Sequence, residues 1–312
     1  MSSSSPEAIF FSALMIIGLG YLLRKVGLVT REHGNTVAKI VLNVTLPALV
    51  LETVAQVDFS PSLVFLPLLA LLHGAVAFFV VQLLFRKRPP LERGLITIVS
   101  MGFNNGLFAF PIVEEMWGIE AIKLLALFDV GNGLILLGAN YVVASYFSRG
   151  GDMRLGATLK VVAKALGTSV PLITFAVALT LNLTGVSLPG PVDRAVGIVA
   201  SANGALALMV LGIFQSLTIR REDLPLICKV LGLRYLIGIL FGVGAVIYLG
   251  TTELFRQVLG IVFILPIGMT VIPYSVTFGL NTRLATTMVN LTILASFLLM
   301  WVSVFVTENL VF

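Results

Sequence analysis

Apolar residues fall in long uninterrupted blocks, parted by short charged or Pro/Gly-rich breaks, rather than alternating with polar ones. The blocks run near 8–23, 36–56, 62–85, 94–117 and 119–147, then 157–183, 192–218, 224–249, 254–280 and 284–307. A helix needs roughly 20 mostly apolar residues to cross the hydrocarbon core of a bilayer, so the pattern predicts an all-α polytopic membrane protein of ten spans. Little chain is left for a soluble domain. The Ser-rich start, Met1 to Glu7, has no basic residue and leads to no small-residue cleavage site, so the first block reads as a span and not as a secretory signal.

Charge placement tests the count, because cytoplasmic loops hold the excess of Lys and Arg. With the N-terminus outside, one side receives Arg24, Lys25, Arg31 and Lys39, then Arg86, Lys87, Arg88 and Arg93. It also receives Arg149, Arg154, Lys160 and Lys164, then Arg220, Arg221, Lys229 and Arg234, and finally Arg283. Of the 20 basic residues only Lys123, Arg194 and Arg256 fall on the other side, with Glu7, Asp58, Glu114, Glu115, Glu120, Asp193, Glu253 and Glu308. Both termini are therefore predicted outside a multi-pass protein of the cytoplasmic membrane. A wrong span count would scramble this alternation.

Composition narrows the chemistry. The chain is 58% hydrophobic and 11% charged, so its bulk partner is the lipid bilayer. A net charge of +5 would favour nucleic acid in a soluble protein, but here the basic residues lie between apolar blocks and read as topology signals, with no nucleic-acid partner. One cysteine, Cys228, and two distant histidines, His33 and His73, give no disulfide framework and no metal-ligand spacing, so no metal and no cofactor are expected. An intramembrane enzyme would need a nucleophile with a base, paired carboxylates or a metal site at membrane depth; no such pattern is present, and the chain does not read as an enzyme.

Five spans followed by five more put the halves, 1–150 and 151–312, in opposite orientations, so internal similarity marks an inverted repeat. Setting Asn43 on Asn203 matches Leu46 with Leu206, Val50 with Val210 and Leu51 with Leu211, in the second span of each half. Setting Pro111 on Pro273 matches Gly106 with Gly268, in the fourth span of each half.

Those fourth spans, the fourth and ninth of the chain, carry the most informative residues. The stretch Gly102-Phe103-Asn104-Asn105-Gly106-Leu107-Phe108-Ala109-Phe110-Pro111 combines a proline with poor helix formers, which predicts an unwound centre. Pro266-Ile267-Gly268-Met269-Thr270-Val271-Ile272-Pro273 repeats the problem in the ninth span. Irregular backbone at membrane depth must be buried in protein or line a watered cavity. Half-helices starting at such breaks would aim N–H groups and positive dipole ends at the centre, which favours a carboxylate or other anion. A kink of purely structural purpose is the plainer account of either break alone; two at matching places point to one shared site. The candidate substrate-binding residues are Asn104, Asn105, Gly106, Pro111, Gly268 and Pro273, with Asn43 and Asn203 at symmetric heights in the second and seventh spans, where hydrogen bonding between helices is an equally good account.

Asp129 is the acid deepest in any expected span, roughly 15 Å inside at helical rise. Intramembrane carboxylates are costly and usually functional. Asn132 follows on the same helix face, so the two are candidates for coupling to a proton or sodium ion. Pairing of Asp129 with Lys123 is the structural alternative. Gly238 and Gly242 predict close helix packing in the eighth span, and isolated His73 reads as an interhelical residue rather than a proton relay.

The segment Leu42-Asn43-Val44-Thr45-Leu46-Pro47-Ala48-Leu49, the run Gly102 to Ile112 and the proline pair of the ninth span together resemble the auxin efflux carrier family. That family includes plant auxin exporters and bacterial carriers of malonate, malate and similar acids. The resemblance runs through both halves. It implies a five-plus-five inverted repeat with broken, crossing helices 4 and 9 at the substrate site, a homodimer, and an elevator motion of spans 3–5 and 8–10 against a scaffold of spans 1, 2, 6 and 7. By the same resemblance Asn105, Pro111 and Pro273 fall where the substrate carboxylate binds. Only Ser148 to Gly156 separates the halves, so the long central loop of the plant exporters is missing and a bacterial-type carrier is the closer comparison. The expected function is secondary transport of a small mono- or dicarboxylate, driven by a proton or sodium gradient. A sodium-coupled symporter of the bile-acid type is the nearest rival, and a channel the next, disfavoured because no polar ring repeats along one face of a span.

Overall fold

The computed structural model describes residues 5–54, 63, 65–151, 155–216, 219–249 and 252–310, the last four as backbone only. Asp58, Arg154 and the side chain of Glu308, used above to assign sides, lie outside the described residues. The described chain is helical, with one isolated β-bridge between Phe103 and Ile267. Its helices are α1 (Pro6–Lys25), α2 (Arg31–Ile40), α3 (Leu46–Val54), α4 (Phe65–Leu84), α5 (Pro90–Met101), α6 (Phe110–Gly133), α7 (Asn140–Ser148), α8 (Leu155–Gly167), α9 (Val170–Thr184), α10 (Gly190–Ser201), α11 (Asn203–Phe214), α12 (Leu224–Leu249), α13 (Glu253–Val262), α14 (Val271–Thr277) and α15 (Thr282–Leu310). Wider π-helical turns at Val41–Thr45, Asn105–Ala109 and Leu134–Ala139 join α2 to α3, lead into α6, and join α6 to α7.

Local signals at their ends fix the limits of the first two helices. α1 opens with Pro6 in its first turn and an acidic Glu7, and closes on Arg24 and Lys25, each charge matching the helix dipole. Arg24 then reaches across to the carbonyls of Ile213 and Gln215, both at 2.6 Å, and so closes the end of α11 as well. The second apolar block was expected from 36, yet its helix starts at Arg31, because Thr30 and His33 form a reciprocal capping box ahead of the apolar residues.

Seven helical segments among the described residues are long and apolar enough to cross a membrane, and eight if the bent pair α8–α9 counts as one span. The protein is thus a multi-pass membrane protein. The shortfall from the ten expected spans sits in two places. Asn105–Ser148 forms one hydrogen-bonded helical segment, but Gly118 inside it adopts φ 70°, a left-handed conformation open to glycine, and the chain turns there, between the expected blocks 94–117 and 119–147. The ninth block is split into α13 and the short α14. The sixth block, expected as one span over 157–183, is bent by 56° where Ser169 and Pro171 interrupt it.

α1 packs along α11, α4 along α6, α5 along α7, and α3 lies against α9 and α10. Gly238 of α12 meets the Phe263 carbonyl so closely that a side chain there would collide with it, and Gly242 approaches Leu259 and Gly260, the close packing expected of this pair. Outward faces carry Leu, Ile, Val and Phe, as in Phe79, Leu83, Leu240 and Ile247.

Candidate functional site

α5 stops at Met101, and Gly102 (φ −116°, ψ 170°) and Asn104 (φ −92°, ψ 76°) carry the chain in extended form to the next helical turn. Residues 263–270 make the corresponding gap between α13 and α14. The two gaps meet. Phe103 pairs antiparallel with Ile267, and the Asn104 N–H donates to the Pro266 carbonyl at 2.9 Å.

Exposed peptide groups at this depth need partners, and three side chains supply them. Asn132 grips the Phe103 peptide at both ends: its Oδ1 accepts from the Phe103 N–H at 2.8 Å and its Nδ2 donates to the Phe103 carbonyl at 3.0 Å. Thr292 Oγ1 accepts from the Ile267 N–H at 3.1 Å. Arg234, 1% exposed, donates to the carbonyls of Val99 (2.9 Å), Gly102 (3.0 Å), Leu265 (3.0 Å) and Pro266 (3.3 Å), and its guanidinium lies 4.8 Å from the centre of the Phe103 ring.

Beside the meeting point is a cavity of about 300 Å³, at the small end of the range for ligand pockets. Each of the three π-helical turns contributes to its wall: Asn43 from the first, Asn105 and Gly106 from the second, Leu136 and Leu137 from the third. Such turns recur at functional sites because they re-aim side chains. Asp129 faces the cavity, and its Oδ1 accepts from Asn105 Nδ2 at 2.7 Å and from Asn132 Nδ2 at 2.9 Å. Asn104 Oδ1 caps the Leu107 N–H at 3.4 Å. Asn104 Nδ2, Asn105 Oδ1 and Thr270 Oγ1, all on cavity-lining residues, have no protein partner. Buried polar groups are normally satisfied, so three such atoms, two from the first break and one from the second, leave unmet hydrogen-bonding capacity on residues that line the cavity.

Comparison with known proteins settles the class. The family model described as "Membrane transport protein" matches residues 9–305. This chain belongs to that family. It is the auxin efflux carrier family that the motifs resemble. An uncharacterized transporter of Methanothermobacter thermautotrophicus is 25% identical over 238 residues, covering 75% of this chain and 76% of the relative. Another from Methanocaldococcus jannaschii is 25% identical over 221 residues, 68% of this chain and 69% of its own length. The molecule is accordingly a transport protein and not an enzyme.

Within this membrane transport protein, the sequence candidates fall into two groups. Asn43, Asn104, Asn105, Gly106 and Asp129 line the one cavity, and Asn132 stands behind it. The others lie elsewhere. Pro111 borders a separate cavity with Glu114, Glu115 and Ser201. Pro273 borders a third, of about 320 Å³, with Arg31, Asn35 and Asn290. Gly268 packs on Leu136, and Asn203 is buried, accepting from Thr45 Oγ1 at 3.0 Å to tie α11 to the first π-helical turn. His73 is buried against the rings of Phe103, Phe241 and Phe263. Lys123 pairs with Glu120 at 2.6 Å, and Asp129 with the two asparagines.

Arg234 is a correction. The charge alternation placed it among loop residues, whereas it is buried within α12 and bonds both gaps. Its signal was available: it stands ten residues inside the 224–249 block, as deep as Asp129 in its own. The cavity wall formed by Thr168, Ser169 and Pro171 was also not anticipated, although Gly167-Thr168-Ser169-Val170-Pro171 is a plain helix-breaking run.

Proposed function

We propose that this protein is a secondary carrier of small organic anions, mono- or dicarboxylates such as malonate, malate or auxin-like acids. The observation that carries the reading is the cavity at the junction of the two broken helices, lined by Asp129 and by Asn104, Asn105 and Thr270, each of which keeps one polar atom without a protein partner. A helix begins there with Asn104 as its cap, and the first N–H groups of a helix have no partner within it, so a carboxylate would be held by Asn104 Nδ2, by the Asn105 Nδ2 hydrogen that Asp129 does not take, and by that backbone. Thr270 supplies a donor from the opposite gap. Asp129 is the group proposed to couple transport to a cation.

The wider reading follows the family resemblance. Ten spans form two inverted five-helix repeats, the broken fourth and ninth cross at the site, and spans 3–5 and 8–10 move as an elevator against spans 1, 2, 6 and 7 of a homodimer in the cytoplasmic membrane, with both termini outside. The test is uptake of labelled malonate, malate and indole acetate into proteoliposomes under imposed proton or sodium gradients. Gradient-driven uptake that Asn105→Ala weakens at least tenfold in KM is the expected result, about what one lost hydrogen bond to a charged group costs. Uptake that requires sodium would favour the bile-acid-type symporter, with Asp129 and its asparagines as the cation's oxygen ligands. No uptake of any acid under any gradient would remove the substrate class.

A further inference from the structure

We infer that the charges buried at the junction make the carrier electroneutral, moving one singly ionised carboxylate with one proton: Asp129 takes the proton and Arg234 is the permanent positive charge. The inference rests on the anion-carrier reading and gives it a stoichiometry and a preferred ionisation state of the substrate.

Among the described residues the buried charged side chains are Arg234 and Lys123, and Lys123 has Glu120 beside it; Asp129 is half-buried where it lines the cavity. Arg234 bonds carbonyls and lies on a ring; no carboxylate is paired with it. Asp129 bonds only the two asparagine amides. Both charges flank the same extended residues, Arg234 through the Gly102 carbonyl and the Phe103 ring, Asp129 through Asn132 and the Phe103 peptide. An arginine without a neighbouring anion and a carboxylate without a neighbouring cation, on two sides of one break, form a balanced set at a distance.

Other charged groups on the elements around Asp129 do not enter that set. On α6 itself are Glu114, Glu115 and the Glu120–Lys123 pair. α4 brings His73, enclosed by aromatic rings, and α3 brings Glu52, which faces Glu114 and Asp193. α13 has Glu253 with Arg256 at 3.9 Å, and α1 has Glu7 at its start and Arg24 and Lys25 at its end. α9 and α11 carry none, and Lys160 and Lys164 on α8 are exposed.

The arithmetic then fixes the coupling. Empty, ionised Asp129 and Arg234 sum to zero. An anion alone leaves −1 at membrane depth and a proton alone leaves +1, while both together return the sum to zero. Carrying one uncompensated charge through the membrane slows the crossing by about 100-fold. Only the empty and doubly loaded forms therefore cross at full rate. The proton joins a carboxylate oxygen of Asp129 from water on one side and leaves it to water on the other; no other bond changes.

The experiment uses the reconstituted full chain with labelled indole acetate, and with malonate at a pH that leaves it singly ionised. An inward pH gradient should drive uptake by the wild type, and a potassium diffusion potential set with valinomycin should not change its rate. Asp129→Asn, whose empty form is +1 and whose anion-loaded form is neutral against Arg234, should lose net uptake by about 100-fold yet keep exchange of internal for external anion. Arg234→Gln combined with Asp129→Asn should give uptake that ignores pH and follows the potential. Wild-type uptake that follows the potential would overturn the inference while leaving the anion carrier standing, and so would correctly folded Asp129→Asn that loses exchange together with net uptake. Failure of the double variant to fold leaves these two measurements to decide, and absence of any acid transport by the wild type would overturn both readings.

Discussion

The two helix gaps meet at one place but satisfy their backbones by different means. The first, 102–104, is short, and a neutral amide on α6 holds its middle: Asn132 pairs with the Phe103 peptide as another peptide would, while Arg234 takes the Gly102 carbonyl. The second, 263–270, is longer, and helices α12 and α15 hold it, through an arginine that collects its carbonyls and a threonine that receives one N–H. The ligand-facing polarity is correspondingly uneven. Asn104, Asn105 and Asp129 line the cavity from the first half of the chain, and Thr270 is the polar side chain offered by the second gap. Two gaps that meet can therefore share a backbone problem while the polar side chains beside them come mostly from one.

Arg234→Met breaks this contrast most severely, because it takes a donor from four carbonyls, Val99 in the last turn of α5, Gly102 in the first gap and Leu265 and Pro266 in the second. A loss of about 3 kcal/mol or more is expected, read as a sharply lower melting temperature in detergent and a poor yield of folded protein. Asn132→Ala comes next. It frees both ends of one peptide and one of the two donors to Asp129, for about 2 kcal/mol of stability, and its transport should fall further than its melting temperature alone explains. Thr292→Val is the smallest, removing the one acceptor for the Ile267 N–H at about 1 kcal/mol, with substrate KM unchanged because Thr292 does not line the cavity. If Thr292→Val proved as damaging as Asn132→Ala, the second gap would be as exacting as the first and the asymmetry drawn here would be wrong.

Much of this was legible in the chain. Long apolar blocks predicted membrane helices, and glycine and proline predicted the two gaps, because each removes helix stability in a way that needs no tertiary context. Asp129 and Asn132 were legible as one face of a helix. Their meeting with Asn105 was not, since it requires α6 to fold back along the gap that precedes it. Arg234 was misread because a rule that sorts charges by loop has no category for a cation buried on carbonyl oxygens. Pro111 and Pro273 were chosen as breakers of helix, yet the backbone leaves helical form before them, at Gly102–Asn104 and 263–270, so neither borders the cavity beside the breaks. The bend at Ser169 and Pro171 was hidden inside an apolar block whose hydropathy it hardly alters.

Asn132 is followed by Gly133, the neighbour that most readily lets an asparagine cyclise and age into aspartate when its backbone is free to flex. Here helical geometry on both sides and the double grip on Phe103 hold that backbone still, so the ageing reaction is confined to molecules whose α6 has come loose. Its product would lack the donor to the Phe103 carbonyl and would set a second acid beside Asp129. The same contact that closes the first gap thus acts as a preservative of the covalent structure at Asn132.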